Sequence, residues 1–378
     1  MNPRIQQIVA GLPRLKDLRK LDKEAEQRLA DGDAVFVADL AIAVNAEAVG
    51  TTTPETWQYD AAYRFLLRLL ATTPGRHHVE QTLRALVAPA QSDQKRVRFF
   101  ASVLAASQTP EDLSPVFTGG GSGASEELRA CLVHELALRQ TPIDAIPAIR
   151  RWAGSTHWRH HPLGLLPPKL AAFEKDPALP QYSARRSVVA TPFLSDSKAE
   201  TVGGASHVPA ATEVTVEAFS ANVATAVQNW VEDSNGRVEA RAFDLAAPVE
   251  PDALPELLRT LGLESLRDTG GQPAFPLARI TAVQAWRLLF AAASSGGAYN
   301  SGHFGAYGRL HAWRSIAALV GTVAETSLEQ LEQQVQAWSW FDFSGATPWF
   351  EKVAWDLGLV AVSPDSQHLT VLAATDTD

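Results

Sequence analysis

The chain has 378 residues, of which 46% are hydrophobic and 20% are charged, and its formal net charge is −9. This composition is too apolar for a disordered chain, and the length exceeds the roughly 250 to 300 residues at which one core stops growing. We therefore expect two folded domains. The charge argues against a nucleic-acid partner, because the densest basic stretches, Arg14–Lys23 and Lys95–Arg98, are interleaved with acidic or apolar residues.

The cellular location follows from the cysteine count and the apolar runs. Cys131 is the only cysteine, so no intrachain disulfide can form, which favours the cytoplasm. The stretch Met1–Gly32 alternates charged and apolar residues and lacks the apolar core of a signal peptide. No window reaches the roughly 18 uninterrupted apolar residues of a membrane span. We expect a soluble cytoplasmic protein with no membrane association.

The first half of the chain has the periodicity of helices. From Leu12 to about Leu170 apolar residues recur every three or four positions. The clearest stripe, Ala61–Leu70, follows a start signal at Thr51–Glu55 and precedes a stop signal at Thr72–Gly75. Further helices are predicted at Asp33–Ala46, His78–Val87, Gln94–Ala106, Ser125–Arg139 and Ile143–Ala153.

The arrangement of these helices leaves two possibilities. Consecutive helices with short connections favour stacked helical hairpins in the manner of an α-solenoid. No residue pattern recurs at a fixed period, so an irregular bundle is equally consistent. We predict a helical domain over residues 1–180 and a Pro-, Gly- and Ser-rich linker or loop over residues 181–209, because regular periodicity disappears between Pro162 and Pro209.

Strand patterns begin after this linker. Arg237–Asp244 alternates apolar and charged residues and predicts a strand whose solvated face carries Glu239 and Arg241. A hairpin is predicted from Leu359–Val362 and Leu369–Ala373 around a Ser-Pro-Asp-Ser turn, with Ala337–Phe343 as a third strand. Helices are predicted at Glu213–Glu232, Asp252–Leu261, Ile280–Ala293, Phe304–Thr322, Ser327–Gln336 and Trp349–Leu357.

These elements define the expected fold class. Residues 210–378 should form an α+β domain in which helices pack on a small, mostly antiparallel sheet. The whole protein is therefore expected to be mainly α, with stacked helical hairpins in its N-terminal part and an α+β C-terminal part.

The segment Ser294–Ser315 is the most unusual stretch, because it concentrates glycines with tyrosines, histidines and arginines. A glycine-rich turn that runs into a helix exposes backbone N–H groups, and these favour an anion. Its spacing matches neither the phosphate loop nor the dinucleotide fingerprint, and the glycines are also consistent with close packing at a helix corner. The candidate ligand-binding residues are Tyr299, Asn300, His303, Tyr307, Arg309, His311, Arg314 and Asp376.

The roles within this candidate site follow from side-chain chemistry. Arg309 and Arg314 would hold an anionic group, because guanidinium groups bind phosphate or carboxylate at two points. His303 or His311 would exchange protons near neutral pH. The hypothesis requires Arg309, His311 and Asp376 to converge in one cavity.

Other reactive residue types form incomplete motifs. His157, His160 and His161 are close enough for a metal, but no cysteine pair or acidic ligand accompanies them, and Pro162 favours a helix end or packing corner. His134-Glu135 begins like a zinc protease motif but has Leu138 where the second histidine belongs. We predict no metal and no cofactor, and we expect Cys131 to be an inert buried thiol.

Carboxylates near the C-terminus have two interpretations. Asp376 and Asp378 lie beside the chain terminus and would either bind a divalent cation or form a frayed polar tail. Asp342, Glu351 and Asp356 lie among aromatic residues, where they would act as general acids or simply border a packed core.

A family resemblance rests on six short segments of the sequence. They are His161–Pro167, Ala306–Arg309, Trp313–Ser315, Trp349–Glu351, Trp355–Gly358 and Leu372–Asp378. With these segments the chain resembles an uncharacterised family of actinobacterial proteins over its whole length. The resemblance implies no activity, because that family has no assigned function.

Two functional hypotheses follow. In the first, the protein is a protein-binding or interaction module whose helical part presents a surface to a protein partner. In the second, it is an enzyme or binder of a small anionic ligand, with an anion-holding site around residues 299–314.

Overall fold

A computed structural model describes residues 2–50, 57–86, 94–118, 123–190, 207–267, 276–322, 326–344, 347–350 and 355–377. The chain divides into two compact units. Unit 1 comprises Met1–Pro168 and Pro180–Val189, and unit 2 comprises Lys169–Leu179 and Ala190–Asp378. The predicted domains, 1–180 and 210–378, stay a prediction, and residues 191–206 of the predicted linker lie outside the described residues.

Unit 1 is built mainly from helices, as the apolar periodicity predicts. Short 3-10 turns at Leu12–Arg14, Ile143–Ala145 and Pro162–Leu165 interrupt it. The helices are α1 (Pro3–Gly11), α2 (Arg19–Ala30), α3 (Ala34–Gly50), α4 (Trp57–Thr72), α5 (Arg76–Leu86), α6 (Gln94–Ser107), α7 (Ser114–Phe117), α8 (Glu126–Leu138), α9 (Pro147–Ala153) and α10 (Thr156–His160). A small hairpin of β1 (Gln181–Tyr182) and β2 (Ser187–Val188) completes the unit.

Helix α4 lies at the centre of this unit. Its predicted stripe is buried at Phe65, Leu66, Leu69 and Leu70, and α4 packs on α3, α5 and α6. Helix α8 packs on α6 in turn. The start signal predicted at 51–55 lies outside the described residues. A regular repeat of helix pairs stays a prediction.

Unit 2 combines strands and helices, and this confirms the predicted α+β class. Its elements are β3 (Ala211–Glu213), α11 (Glu217–Val223), α12 (Gln228–Glu232), β4 (Arg237–Leu245), α13 (Leu254–Thr260), β5 (Leu277–Ile280), α14 (Ala282–Ser295), α15 (Phe304–Leu319), α16 (Leu328–Ala337), β6 (Ser339–Phe343), β7 (Trp355–Val362) and β8 (His368–Asp376). Helices α14 and α16 begin with capping boxes, in which Thr281 pairs with Gln284 and Ser327 with Gln330. None of the described helices is long and apolar enough to cross a membrane.

The sheet has six antiparallel strands in the order β3-β4-β8-β7-β6-β5. The predicted hairpin forms its centre, with Leu359 of β7 opposite Leu372 of β8. One face joins α13 in an apolar cluster that includes Phe243, Phe341 and Val371. On the other side α11 and α12 pack against β4, and α14 packs against β6. Because both faces are covered, β7 and β8 are buried along nearly their whole length.

One of the predicted helices in this unit is wrong, and another begins four residues too early. The segment predicted as helix Trp349–Leu357 instead enters β7 at Trp355, which pairs with Asp376 of β8. The segment Glu213–Glu232 begins in a strand and then forms α11 and α12 around the 3-10 turn Ala224–Ala226. In both cases pairing with a distant strand outweighs the local helical spacing.

The predicted solvated position of Glu239 is also wrong. Its side chain is buried, and the carboxylate accepts hydrogen bonds from the backbone N–H of Glu264 (2.9 Å) and of Ser265 (2.9 Å). The Ser265 hydroxyl donates a third bond at 2.8 Å. Glu239 therefore acts as a distant cap for the 3-10 turn Glu264–Leu266, because it satisfies N–H groups that the turn leaves free.

Substitution of Gly358 tests the close approach of the neighbouring strands β6 and β7. A Cβ at this position would collide with the carbonyl oxygen of Phe343. We expect Gly358→Ala to lower the free energy of unfolding by about 1 to 3 kcal/mol, as measured by urea denaturation. The control is Gly11→Ala at the end of α1, where a Cβ meets no atom within 4 Å and stability should not fall. Equal stability of both variants would contradict this packing.

Candidate functional site

The glycine-rich loop between α14 and α15 is closed on itself by one asparagine. The Asn300 Oδ1 accepts hydrogen bonds from the backbone N–H of Gly297 (3.3 Å) and Gly302 (2.9 Å). Its Nδ2 donates to the carbonyl of Asn229 at 2.8 Å. Gly296 and Gly302 adopt positive φ angles of 84° and 60°, which glycine tolerates without strain. The Asn300 side chain, which belongs to the loop itself, therefore holds the loop in this conformation.

Asp376 reaches this loop from the end of β8. Its carboxylate is 1% exposed and accepts hydrogen bonds from the Ala298 N–H (2.6 Å) and the Ser234 hydroxyl (2.8 Å). A Cβ at Gly297 would collide with the Asp376 Oδ2. The glycine-rich loop therefore does hold an anion, but that anion is a carboxylate of the same chain. The expectation of a frayed tail does not hold at this residue.

The neighbouring aromatic residues form a second group. The rings of His303 and His311 lie 4.5 Å apart, and the Tyr307 ring lies 6.3 Å from that of His311. The His311 Nδ1 is 3.2 Å from the carbonyl oxygen of Thr225, and since a carbonyl only accepts, Nδ1 carries the proton. In the neutral ring the Nε2 of His311 then has the lone pair. Tyr299, by contrast, is 61% exposed on the loop surface.

Arg309 belongs to a separate, fully buried ion pair. Its Nε and Nη2 donate to the two carboxylate oxygens of Glu174 at 2.6 and 2.7 Å, and Nη2 also donates to the Lys169 carbonyl. Trp313 Nε1 donates to Glu174 at 2.8 Å. Both charged side chains are 0% exposed. The guanidinium is engaged inside the protein and does not converge with Asp376.

The structure thus divides the predicted site residues into groups. Tyr299 and Asn300 share the loop that Asp376 binds, and His303, Tyr307 and His311 form the aromatic group. Arg309 is paired with Glu174, and Arg314 is exposed on α15. A ligand-binding role for these residues stays a prediction.

The other histidines singled out from the sequence lie in unit 1, and two of the four are embedded. His134 is buried, contacts the Leu163 carbonyl at 2.9 Å and stacks on Trp158. His161 contacts the Glu127 carboxylate at 3.0 Å, whereas His157 and His160 are exposed. Within the described part of the chain, no group of three or more His, Cys, Asp or Glu residues could hold a metal ion.

The C-terminal carboxylates have structural partners where they are described. Asp356 Oδ1 accepts a hydrogen bond from the Thr375 hydroxyl at 2.6 Å. Asp342 lies on β6 opposite Leu359. Glu351 and Asp378 fall outside the described residues.

A cavity of about 520 Å³ beside the edge strand β3 is absent from the sequence predictions. One wall carries an ion pair in which the Arg241 Nε donates to Glu213 at 3.0 Å, while Arg241 Nη1 donates to the Gly262 carbonyl. The hydrogen bond to Glu213 raises the pKa of Arg241 and lowers that of Glu213. The lining residues are Val208, Pro209, Ala210, Ala211, Glu213, Arg241, Phe243, Thr260 and Leu261.

Strand β3 also presents an open backbone edge. The carbonyl of Ala210 accepts from Ala246 and the N–H of Val214 donates to Ala242, so the alternate residues Ala211 and Glu213 direct their backbone groups away from β4. These outward groups have no hydrogen-bond partner among the residues that the structure describes. The sequence analysis did not predict this strand. The signal that could have indicated it is the group of β-branched residues between Thr212 and Val216.

The geometry defines a class of protein with a helical unit and an α+β unit, in which Arg309, one of the two arginines predicted to hold an anion, is paired internally with Glu174. The chain belongs to the family of unknown function DUF6183, whose model matches residues 19–378. The resemblance to an uncharacterised family is thereby confirmed. No curated protein and no solved structure matches the chain.

Removal of the Arg309 charge tests whether this residue is structural. We expect Arg309→Met to lower the free energy of unfolding by about 3 to 5 kcal/mol, because Glu174 is left as an unpaired buried charge. The double variant Arg309→Met/Glu174→Gln should recover part of this loss in urea denaturation. Arg64→Met, which breaks the exposed pair with Asp60, serves as the control and should be nearly neutral. An unchanged stability of Arg309→Met would contradict the structural role.

The reactivity of Cys131 provides a chemical test of unit 1. The side chain is 0% exposed, and burial raises the pKa of its thiol well above the ordinary value. Because the thiolate is the reactive form, we expect the folded protein to react with a thiol reagent at least about 100-fold more slowly than the protein in urea. Rapid labelling of the folded protein would contradict the burial.

Proposed function

We propose that the protein is a protein-binding module that takes up an extended segment of a partner along the outer edge of β3. The observation that carries the proposal is the open edge at Ala211 and Glu213 next to the cavity. An extended peptide forms main-chain hydrogen bonds with such an edge, and a pocket beside it accepts alternate side chains.

The cavity walls are more polar than apolar, so they favour a neutral polar side chain from the partner. Arg241 already donates to Glu213 and to the Gly262 carbonyl, so its guanidinium offers little to a further anion. Phe243, Leu261 and Val208 supply the apolar surface. Val216, the residue before α11, is 61% exposed. A segment with one neutral polar residue among alternating positions suits these features.

The alternative, an enzyme or small-molecule binder with an anion-holding site around residues 299–314, has less support. The loop N–H groups of Gly297, Ala298 and Gly302 donate to Asn300 and Asp376, and Arg309 is paired with Glu174. A ligand would have to replace bonds that are already made. We therefore favour the protein-binding hypothesis.

The cellular location and the kind of partner are part of the same proposal. We place the protein in the bacterial cytoplasm, on the basis of its single cysteine and its resemblance to an actinobacterial family. The net charge of −9 supports a protein partner over nucleic acid.

Proline substitution at the strand edge tests the proposal. Ala211→Pro removes an outward N–H and leaves the hydrogen bonds between β3 and β4 in place. Peptides selected from a random display library on the full chain should bind this variant about 5- to 10-fold more weakly, by fluorescence anisotropy, because one main-chain hydrogen bond is lost.

The matched control is Arg279→Pro on β5, the opposite edge of the sheet. Arg279 also directs its backbone outward, since the carbonyl of Pro276 and the residues Ala278 and Ile280 face β6. This variant should bind the selected peptides like the wild type. Failure to select any peptide, or equal binding by all three chains, would exclude strand addition at β3.

A further inference from the structure

The hairpin of β1 and β2 in unit 1 depends on the helices beneath it. Only Gln181 with Val188 and Tyr182 with Ser187 pair across it. A two-stranded hairpin of this length is not stable in water by itself. Its position must therefore come from contacts with α2, α4 and α6, and three sets of such contacts are present.

The first set of contacts binds the Tyr182 side chain. The Tyr182 ring meets the Phe99 ring edge-on at 5.6 Å, and its hydroxyl donates to the Ser102 Oγ at 2.9 Å. Ser102 donates in turn to the Glu135 carboxylate at 3.1 Å, and both residues are 0% exposed. The Ser102 hydroxyl is thus oriented to accept from a phenol. Burial raises the pKa of Tyr182, so the phenol stays a donor throughout the physiological range.

The second set of contacts binds the side chain of Arg185, three residues after Tyr182. Arg185 Nη1 lies 2.6 Å from Asp22, and Nη2 lies 2.7 Å from Glu26, both on α2. The guanidinium also lies over the Phe65 ring at 5.2 Å. Two carboxylates and an aromatic face form a complete receptor for a guanidinium group.

The third contact set holds the backbone of the turn. Arg68 of α4 donates to the carbonyl of Ser183 from Nη2 at 2.7 Å and from Nε at 3.2 Å. A main-chain carbonyl is present in every peptide, so this contact fixes the position of a turn without selecting its sequence. The selective contacts are those to the Tyr182 ring and the Arg185 guanidinium.

Apart from the Tyr182 ring, the hairpin is largely exposed. The Arg185 side chain is 51% exposed, and Val188 is 57% exposed. Exposed ion pairs contribute little to stability, so the Tyr182 side chain is the main anchor of the hairpin, and a segment with one buried anchor opens more readily than the core. By contrast, the receptor side is rigid, because Ser102 and Phe65 belong to the helical core. A competitor with the same two side chains could therefore replace the hairpin.

We propose that this surface is an interaction site for a partner protein whose turn carries a tyrosine followed three residues later by an arginine. The hairpin Pro180–Val189 occupies the site as a resident competitor. We name the surface the Tyr-Arg groove; it consists of Asp22, Glu26, Phe65, Arg68, Phe99 and Ser102. The proposal is independent of the β3 edge, which lies in unit 2.

A peptide competition experiment on the full chain tests this proposal. The probe is a fluorescein-labelled, cyclised peptide with the sequence of residues 180–189, and binding is measured by anisotropy. The variant Tyr182→Ala/Arg185→Ala weakens the resident hairpin and leaves the groove intact. It should bind the probe at least about 10-fold more tightly than the wild type, since occupation by the hairpin lowers the apparent affinity of the wild type.

Two controls assign the binding to the groove. A probe in which the tyrosine and the arginine are both replaced by alanine should bind neither chain. Adding Asp22→Ala and Glu26→Ala to the hairpin variant should abolish its gain in affinity. Binding of the two probes with equal affinity would overturn the proposal.

The remaining outcomes are also decisive. If the wild type and the hairpin variant bind the probe equally, or if neither binds it, the hairpin is not a competitor and the proposal fails. If circular dichroism shows that the hairpin variant is unfolded, the hairpin is a structural part of unit 1, and the proposal fails as well.

Discussion

The bond between the Asp376 carboxylate and the glycine-rich loop is the interaction on which the arrangement of unit 2 depends. Asp376 terminates β8, which lies between β4 and β7 in the sheet. Its oxygens accept from Ala298 in the loop and from Ser234 between α12 and β4. A buried carboxylate is costly unless it is hydrogen-bonded, so the sheet, the loop and the connection at Ser234 must be placed together. Gly297 permits this approach because a side chain would collide with the carboxylate.

The need to pair buried charges also explains why the charged and polar residues of unit 2 lie close together without forming an open site. Arg309 and Glu174 are both fully buried, and Lys169 and Trp313 complete their hydrogen bonds. Glu239 is satisfied by the N–H groups of a 3-10 turn. Inside unit 2 the buried charged side chains therefore connect segments that are distant in sequence. Groups engaged in this way are poorly suited to bind a ligand, because each one would first have to lose its partner.

The features that favour partners lie instead where the structure leaves contacts open or weakly held. In unit 2 these are the backbone edge of β3 and the cavity beside it. In unit 1 it is the Tyr-Arg groove, which is occupied by a hairpin with an exposed arginine. The two proposed surfaces would recognise different chemistry: main-chain groups with a neutral polar side chain in one case, and a phenol with a guanidinium in the other. Both are consistent with a protein-binding module of the DUF6183 family.

The sequence by itself determined the helical first half, the central hairpin of β7 and β8, and the mixed second half, because those depend on local periodicity and turn residues. It also selected Asn300 and Asp376 as candidate ligand-binding residues, which stays a prediction. It did not determine that Trp355 begins a strand, that Glu239 is buried or that Arg309 pairs with Glu174. These outcomes were decided by the tertiary structure, because each depends on a partner far away in the chain, and local spacing carries no information about which distant group will satisfy a buried charge or extend a sheet.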